Sequence, residues 1–121
     1  MIKMMALLFR KPGMSVEDFR DHYETRHVPL VKSLMGDDLV RYVRNYAGAG
    51  TPFAVGEERP GFDCITEFHF ADRAGYERAI ASCEHPDNAP AVRADEARFL
   101  DMPRIQVSVV EVRDRTDGSR F

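Results

Sequence analysis

The residues with the clearest capacity for chemistry lie on one face of a predicted helix. Steps of three or four residues lead from Phe19 to Tyr23, His27 and Leu30, so these side chains share a buried face. Histidine can both accept and donate a proton near neutral pH, because its unperturbed pKa is about 6.5. The pattern therefore makes His27 a candidate for general acid/base catalysis. The alternative is a structural histidine that bonds a backbone carbonyl freed by Pro29.

Three further side chains could assist His27. Asp95 or Glu96 could bond the imidazole, set its tautomer and raise its basicity, although either could instead belong to a solvated helix face. Tyr23 could orient the imidazole or bind a substrate oxygen, or it could simply contribute apolar area. His22 lies off the apolar face, and we expect it to be exposed. The candidate catalytic residues are His27, Tyr23 and Asp95.

A predicted strand would supply the wall of a ligand pocket. In residues 62–70 alternate side chains, among them Cys64, Thr66 and Phe68, share one face. If this face looks toward the helices, Thr66 and Phe68 line the pocket, and Tyr42 could join them from the preceding strand. The phenylalanines could instead be ordinary core residues. The candidate substrate-binding residues are Phe19, Tyr42, Thr66, Phe68 and Phe99.

Strand and helix signals along the chain place these residues in a βαββαβ order. A helix begins after the N-cap Ser15, and Pro29 should kink it or end it and restart it near His27. A second helix begins after Asp72, and a further short helix covers residues 91–100. Strands are predicted at residues 4–9, 39–46, 62–70 and 105–112, with a glycine-containing loop at 47–61.

This order predicts an α+β fold, a split βαβ arrangement in which helices cover one face of a four-stranded antiparallel sheet. We expect one domain at residues 1–112 and a C-terminal tail at residues 113–121. The other sheet face carries Ile65 and Val43, which should not stay in water, so two sheets are expected to pair in a homodimer. Polar residues of that face would form a network with partners across the interface; they are Glu67, His69, Arg41 and Asn45.

Composition and motifs exclude several classes of function. The net charge of −3 provides no field for nucleic acid or an anionic membrane, so neither partner is expected. The apolar start is too short to span a membrane and lacks the order of a secretory signal, so we expect a cytoplasmic protein. Cys64 and Cys83 lack metal-type spacing and are expected to be free thiols. No metal-ligand motif or phosphate-binding loop occurs, so we predict no metal and no cofactor.

Several segments resemble the EthD family. They are residues 7–15 (LLFRKPGMS), 17–19 (EDF) and 27–30 (HVPL), followed late in the chain by 95–101 (DEARFLD). The first block is fairly specific, because a turn, a helix cap and a histidine recur in one fixed order. The resemblance covers residues 1–112 and implies a ferredoxin-like, dimeric α+β barrel. It further implies a pocket between sheet and helices in each protomer, with His27 at the family's histidine position.

The resemblance leaves the reaction open. The wider superfamily includes cofactor-free cyclases, lactone isomerases, decarboxylases, anthrone-type monooxygenases and haem enzymes. Methylmuconolactone-type isomerases have a cysteine where this chain has Phe68, which weakens a thiol-dependent isomerase hypothesis. We expect the protein to bind a small apolar, aromatic or polyketide-like compound, and His27 to catalyse dehydration, cyclisation, isomerisation or decarboxylation. The alternatives are a non-catalytic accessory or carrier protein for a partner oxygenase in a degradation pathway, a cofactor-free oxidoreductase, and haem binding through His27.

Overall fold

A computed structural model describes the protein at residues 1–48 and 61–116. Four strands form one antiparallel sheet: β1 (Ile2–Leu8), β2 (Arg41–Tyr46), β3 (Cys64–Phe70) and β4 (Gln106–Val110). Their spatial order is β2-β3-β1-β4. Most of the predicted loop at 47–61, and the tail beyond residue 116, lie outside the described residues.

The helices pack together on one face of this sheet. They are α1 (Val16–His22), a π-helical turn (Tyr23–His27), α2 (Val28–Met35), α3 (Arg73–Glu84) and α4 (Ala89–Phe99), with short 3-10 turns at Gly36–Asp38 and Met102–Arg104. This architecture confirms the predicted α+β, split βαβ fold. The predicted helix at 91–100 begins two residues earlier than expected, at Ala89.

Side-chain caps fix the starts of two helices. The Ser15 hydroxyl accepts a hydrogen bond of 3.0 Å from the Asp18 amide at the start of α1. In the same way the Asp72 carboxylate accepts a bond of 2.8 Å from the Gly75 amide at the start of α3. Each cap satisfies an amide that would otherwise lack a partner in the first helical turn. Both helices therefore begin where the sequence predicts.

The predicted irregularity near Pro29 takes the form of the π-helical turn rather than a break. The amide of Val28 bonds the carbonyl of Tyr23, five residues earlier, and α2 follows directly. Pro29 has no amide hydrogen and occupies the first turn of α2, where a helix tolerates it best. The chain thus passes His27 in one continuous helical stretch with a single wide turn.

The core lies between the helices and the face of β3 that carries Cys64, Thr66, Phe68 and Phe70. These side chains are buried, which confirms that this face looks toward the helices. The apolar helix face begins at Phe19. Val16, the first residue of α1, is 39% exposed. The largest fully buried side chains are Tyr23, Phe19, Phe70, Phe99, Thr66 and Cys64.

The opposite sheet face carries a polar network centred on Glu67. Its carboxylate contacts Lys3 at 2.9 Å, Asn45 at 2.8 Å and His69 at 3.1 Å. These contacts hold the pKa of Glu67 at about 2, through hydrogen bonds from Asn45, Lys3 and His69 that outweigh desolvation. We had expected this network to need partners across an interface. Neighbouring strands of the same protomer already supply two of them, because the antiparallel register places Lys3 of β1 and Asn45 of β2 diagonally opposite Glu67. The third partner, His69, lies two residues further along β3 itself.

Candidate active site

A cavity of about 160 Å³ lies between the helices and the β1–β4 half of the sheet. Its wall is almost entirely apolar, so it suits an apolar ligand. The volume is below the roughly 300 Å³ at which pockets for drug-sized ligands begin, which favours a compact compound. The lining residues are Met4, Ala6, Leu8, Phe68, Ile105 and Val107 from the sheet side, and Tyr23, His27, Val31, Met35, Cys83, Val92, Glu96 and Leu100 from the helices and the end of α4.

His27 and Asp95 form a buried hydrogen-bonded pair at this cavity. Nδ1 of His27 lies 2.8 Å from Oδ2 of Asp95, and both residues are buried. Burial lowers the pKa of His27, against the opposing effect of the Asp95 carboxylate. Burial alone would raise the pKa of Asp95, but hydrogen bonds from the two histidines more than offset it, so that pKa is lowered. At neutral pH a neutral imidazole therefore donates its Nδ1 proton to an ionised carboxylate.

This pairing leaves Nε2 of His27 available to the cavity. Within the part of the chain that the structure describes, Nε2 has no hydrogen-bond partner and is not among the fully buried polar atoms. With Nδ1 protonated, Nε2 carries the lone pair. The arrangement is that of a general base whose tautomer a carboxylate fixes, as in hydrolase triads.

Asp95 also binds a second histidine. Nε2 of His22 lies 3.0 Å from Oδ1 of Asp95, and its ring stacks on Phe99 with centroids 4.8 Å apart. We had expected His22 to be exposed, but its side chain is only 18% exposed. The reason is the π-helical turn, in which residues five positions apart come close to one side of the helix. His22 and His27 are five positions apart, so one carboxylate bridges both.

Backbone contacts position α4 so that Asp95 can reach these histidines. The Phe99 carbonyl accepts a bond of 2.9 Å from the Lys11 amide, and the Asp101 amide donates one of 2.8 Å to the Phe9 carbonyl. The end of α4 is thereby tied to the segment that follows β1. One turn earlier, Asp95 lies against the π-helical turn.

Tyr23 supports the cavity wall. Its hydroxyl lies 2.7 Å from Oγ1 of Thr66 and accepts a 3.2 Å bond from the Tyr42 hydroxyl. Burial raises the pKa of Tyr23 well above its ordinary value, so the phenol stays protonated. Its ring meets that of His27 edge-on, with centroids 5.6 Å apart. Tyr23 therefore contacts the imidazole through its ring, while its hydroxyl is held by Thr66 and Tyr42.

The predicted substrate-binding residues lie in three different places. Phe68 lines the cavity, whereas Phe19, Thr66 and Phe99 have no exposed surface and lie behind the lining. Tyr42 stacks on Phe68 with centroids 4.9 Å apart and borders a separate polar hollow between α2 and β2. This placement differs from the expected ligand contact of these four residues, because the cavity lies toward β1 and β4 rather than toward β2.

Glu96 lines the cavity, which is not the role that the sequence predicts for it. The sequence predicts that it either pairs with His27 in place of Asp95 or belongs to a solvated helix face. Instead the two adjacent carboxylates diverge, Asp95 toward the histidines and Glu96 toward the cavity beside Val92. Burial raises the pKa of Glu96. In the sequence, the four-residue spacing of Val92 and Glu96 indicates that the two side chains share one helix face, and this was the available signal that Glu96 faces the cavity with Val92.

The described residues include neither a metal site nor a membrane-spanning helix. Among the residues that the structure describes, no three His, Cys, Asp or Glu side chains are grouped so that they could hold a metal ion. Over the same residues, every helix is too short or too polar to cross a membrane.

The fold and this site together define a ferredoxin-like α+β protein whose sheet–helix cavity carries a histidine–aspartate pair. The chain belongs to the EthD domain family, whose model matches residues 11–103. It is 29% identical over 109 residues to the "Conidial pigment biosynthesis dehydratase EthD" of Metarhizium robertsii, a match that covers 84% of this chain and 75% of that protein.

Solved structures support the same fold. An EthD-like protein from Ralstonia eutropha superposes with a TM-score of 0.64 at 22% identity, covering 96% of each chain. A dimeric ferredoxin-like protein of unknown function from Thermobifida fusca gives a TM-score of 0.55 at 17% identity, covering 92% of this chain and 90% of that one. At these identities the likeness establishes the fold alone.

Proposed function

We propose that this protein is a cofactor-independent dehydratase that acts on a compact ring compound bearing a β-hydroxy ketone. The observation that carries the proposal is the 2.8 Å bond between Nδ1 of His27 and Asp95, which leaves Nε2 as a base at an apolar cavity. The dehydratase name of the Metarhizium robertsii relative favours loss of water over the other reactions that one acid/base group can catalyse.

In this mechanism Nε2 of His27 removes a proton from the carbon between the ketone and the hydroxyl-bearing carbon. The electron pair of that C–H bond forms the new double bond as the C–O bond breaks. The leaving hydroxide takes up a proton, from solvent or from an acid in the cavity, and departs as water. Asp95 stabilises the imidazolium that forms. In a ring fused to an arene, tautomerisation of the product gives a second aromatic ring, which drives the reaction forward.

A suitable test substrate is 3-hydroxy-1-tetralone, whose dehydration and tautomerisation give fluorescent 1-naphthol by the general-base step described above. The native protein is expected to form naphthol with saturation kinetics. His27→Gln is expected to lose turnover while calorimetry shows that it still binds naphthol. The matched control is His85→Gln, because His85 is exposed and does not line the cavity. Binding without turnover in the native protein, unchanged in His27→Gln, would instead identify a ligand carrier.

We also propose that the active form is a homodimer joined through the outer sheet face. Half-buried apolar side chains there, including Met5, Leu7, Val43 and Ile65, surround the Glu67 network. The Thermobifida fusca neighbour is described as dimeric. Light scattering of the native protein should give twice the mass of the chain, and Ile65→Lys should give the monomer mass. A native monomer at micromolar concentration would contradict this proposal.

A further inference from the structure

Glu96 is a carboxyl group with an unusual environment. It lies on α4, half-buried, and lines the same apolar cavity as His27. Among the described residues, its side chain makes no hydrogen bond and no ion pair, while the nearby charges of Arg93 and Asp95 act on it in opposite directions. Half-buried carboxylates are normally paired or hydrogen-bonded, because an unpaired charge is costly to desolvate. An unpaired carboxyl at an apolar ligand cavity is therefore better suited to the protonated, neutral form.

Dehydration needs such a group. Hydroxide is a poor leaving group, so breaking the C–O bond requires a proton donor at the leaving oxygen as well as a base at carbon. The cavity provides two titratable groups with opposite tendencies, since burial lowers the pKa of His27 and raises that of Glu96. These opposite shifts favour the neutral imidazole of His27 and the neutral carboxyl of Glu96, the forms that a base and an acid must have before the reaction.

We propose that Glu96 is a second catalytic residue, the general acid that protonates the departing hydroxyl group; this rests on the proposed dehydratase function. Nε2 of His27 takes the carbon-bound proton, the C–H electron pair becomes the double bond, and the C–O bond breaks. The Glu96 carboxyl gives its proton to the leaving oxygen, which departs as water. Imidazolium and carboxylate remain, and transfer of the proton between them through solvent restores both groups.

The test compares two leaving groups in one ring system. Fluoride is close in size to hydroxyl and leaves as an anion, so 3-fluoro-1-tetralone needs the base but not the acid. Glu96→Gln is expected to lower turnover of the hydroxy compound by about 10²- to 10⁴-fold and to leave turnover of the fluoro compound within about threefold. His27→Gln is expected to lower both. Glu84→Gln, at an exposed glutamate of α3, is the matched control and should change neither.

The outcomes separate the two proposals. If the native protein converts the hydroxy compound and Glu96→Gln lowers both substrates equally, or neither, the assignment of Glu96 is wrong and the dehydratase function stands. If the native protein converts neither compound, both proposals are overturned. If Glu96→Gln does not fold, the pH dependence of turnover by the native protein is the test instead. Turnover of the hydroxy compound must then fall at high pH as Glu96 ionises, and that loss must be absent with the fluoro compound. A shared fall would contradict the proposal.

Discussion

The carboxylate of Asp95 bridges two histidines that lie one π-helical turn apart, with Oδ2 at 2.8 Å from Nδ1 of His27. Oδ1 lies 3.0 Å from Nε2 of His22. The residue thus joins the helical stretch after β1 to α4, and it sets which nitrogen of His27 carries the proton. Five measurements follow from this arrangement and from the cavity beside it.

The first concerns the tautomer of His27. Asp95→Asn keeps the shape of the side chain, but its amide can donate to Nδ1, which moves the proton to Nε2 and removes the base. Turnover of the hydroxytetralone should fall by about 10⁴-fold, as for the equivalent change in a serine protease triad. The measurement is kcat, with naphthol affinity as a check that the cavity is intact. Asp87→Asn, at an exposed position, should have no effect.

The second concerns His22, which acts through Asp95 and does not line the cavity. His22→Gln should lower kcat by about 10-fold with little change in KM, because it loosens a carboxylate that orients the base. In an Asp95→Asn background the same substitution should have almost no further effect, since the two residues act as one unit. Additive losses would show that His22 acts independently of Asp95.

The third concerns pH and stability. The folded-state pKa of His27 is lowered by burial, so the unfolded chain binds more protons between that value and the ordinary pKa of about 6.5. The contribution of His27 to stability is therefore fully present above about pH 6.5 and decreases as the pH falls toward the folded-state pKa. Urea unfolding across this range should show a smaller pH dependence in His27→Gln. An identical pH dependence in both proteins would contradict the lowered pKa.

The fourth concerns the buried hydroxyl groups behind the cavity. Tyr23→Phe leaves Oγ1 of Thr66 without its 2.7 Å partner, which should cost about 1–3 kcal/mol of unfolding free energy. Tyr23→Phe combined with Thr66→Val removes both polar groups and should cost less than the sum of the two single changes. Turnover per folded molecule should change by less than about tenfold if Tyr23 positions His27 through its ring. A loss as large as that of His27→Gln would make the Tyr23 hydroxyl a catalytic group.

The fifth concerns the cavity rim at the edge strand β4. Val107 lines the cavity and is 56% exposed, whereas Val109 points to the same side of the sheet, is 39% exposed and does not line it. Val107→Asp should raise KM for the tetralone substrates by about tenfold, since a charge at the rim disfavours an apolar ligand. Val109→Asp is the matched control. Equal effects of the two changes would place ligand entry elsewhere.

The fold could be predicted from the sequence because the signals for helix starts and for buried strand faces are local. The cap residues Ser15 and Asp72 determine where helices start, and alternation along 62–70 determines which side of β3 is buried. The position of His27 on a buried face followed from the same periodicity. Asp95 could be offered as its partner, but only together with Glu96, because adjacent helical residues differ by about 100° in direction and the packing of α4 decides between them.

The remaining features of the site depend on how the helices and strands pack, and local sequence patterns do not predict this packing. The helical repeat in the sequence does not indicate that a π-helical turn occurs here, so it predicts His22 on the exposed side of the helix. The position of the cavity depends on β4 pairing with β1, a contact between the two ends of the domain. The sequence predicts Phe19, Thr66 and Phe99 as substrate-binding residues, and in the structure they lie behind the lining of the cavity.

The π-helical turn makes this site sensitive to chain length. Such a turn is equivalent to one additional residue within an α-helix. Deletion of Thr25 would convert Tyr23–His27 to an ordinary helical repeat and rotate one histidine by about 100° relative to the other. Asp95 could then contact only one of them. Insertions and deletions at this point should therefore be eliminated by selection wherever the paired histidines are required.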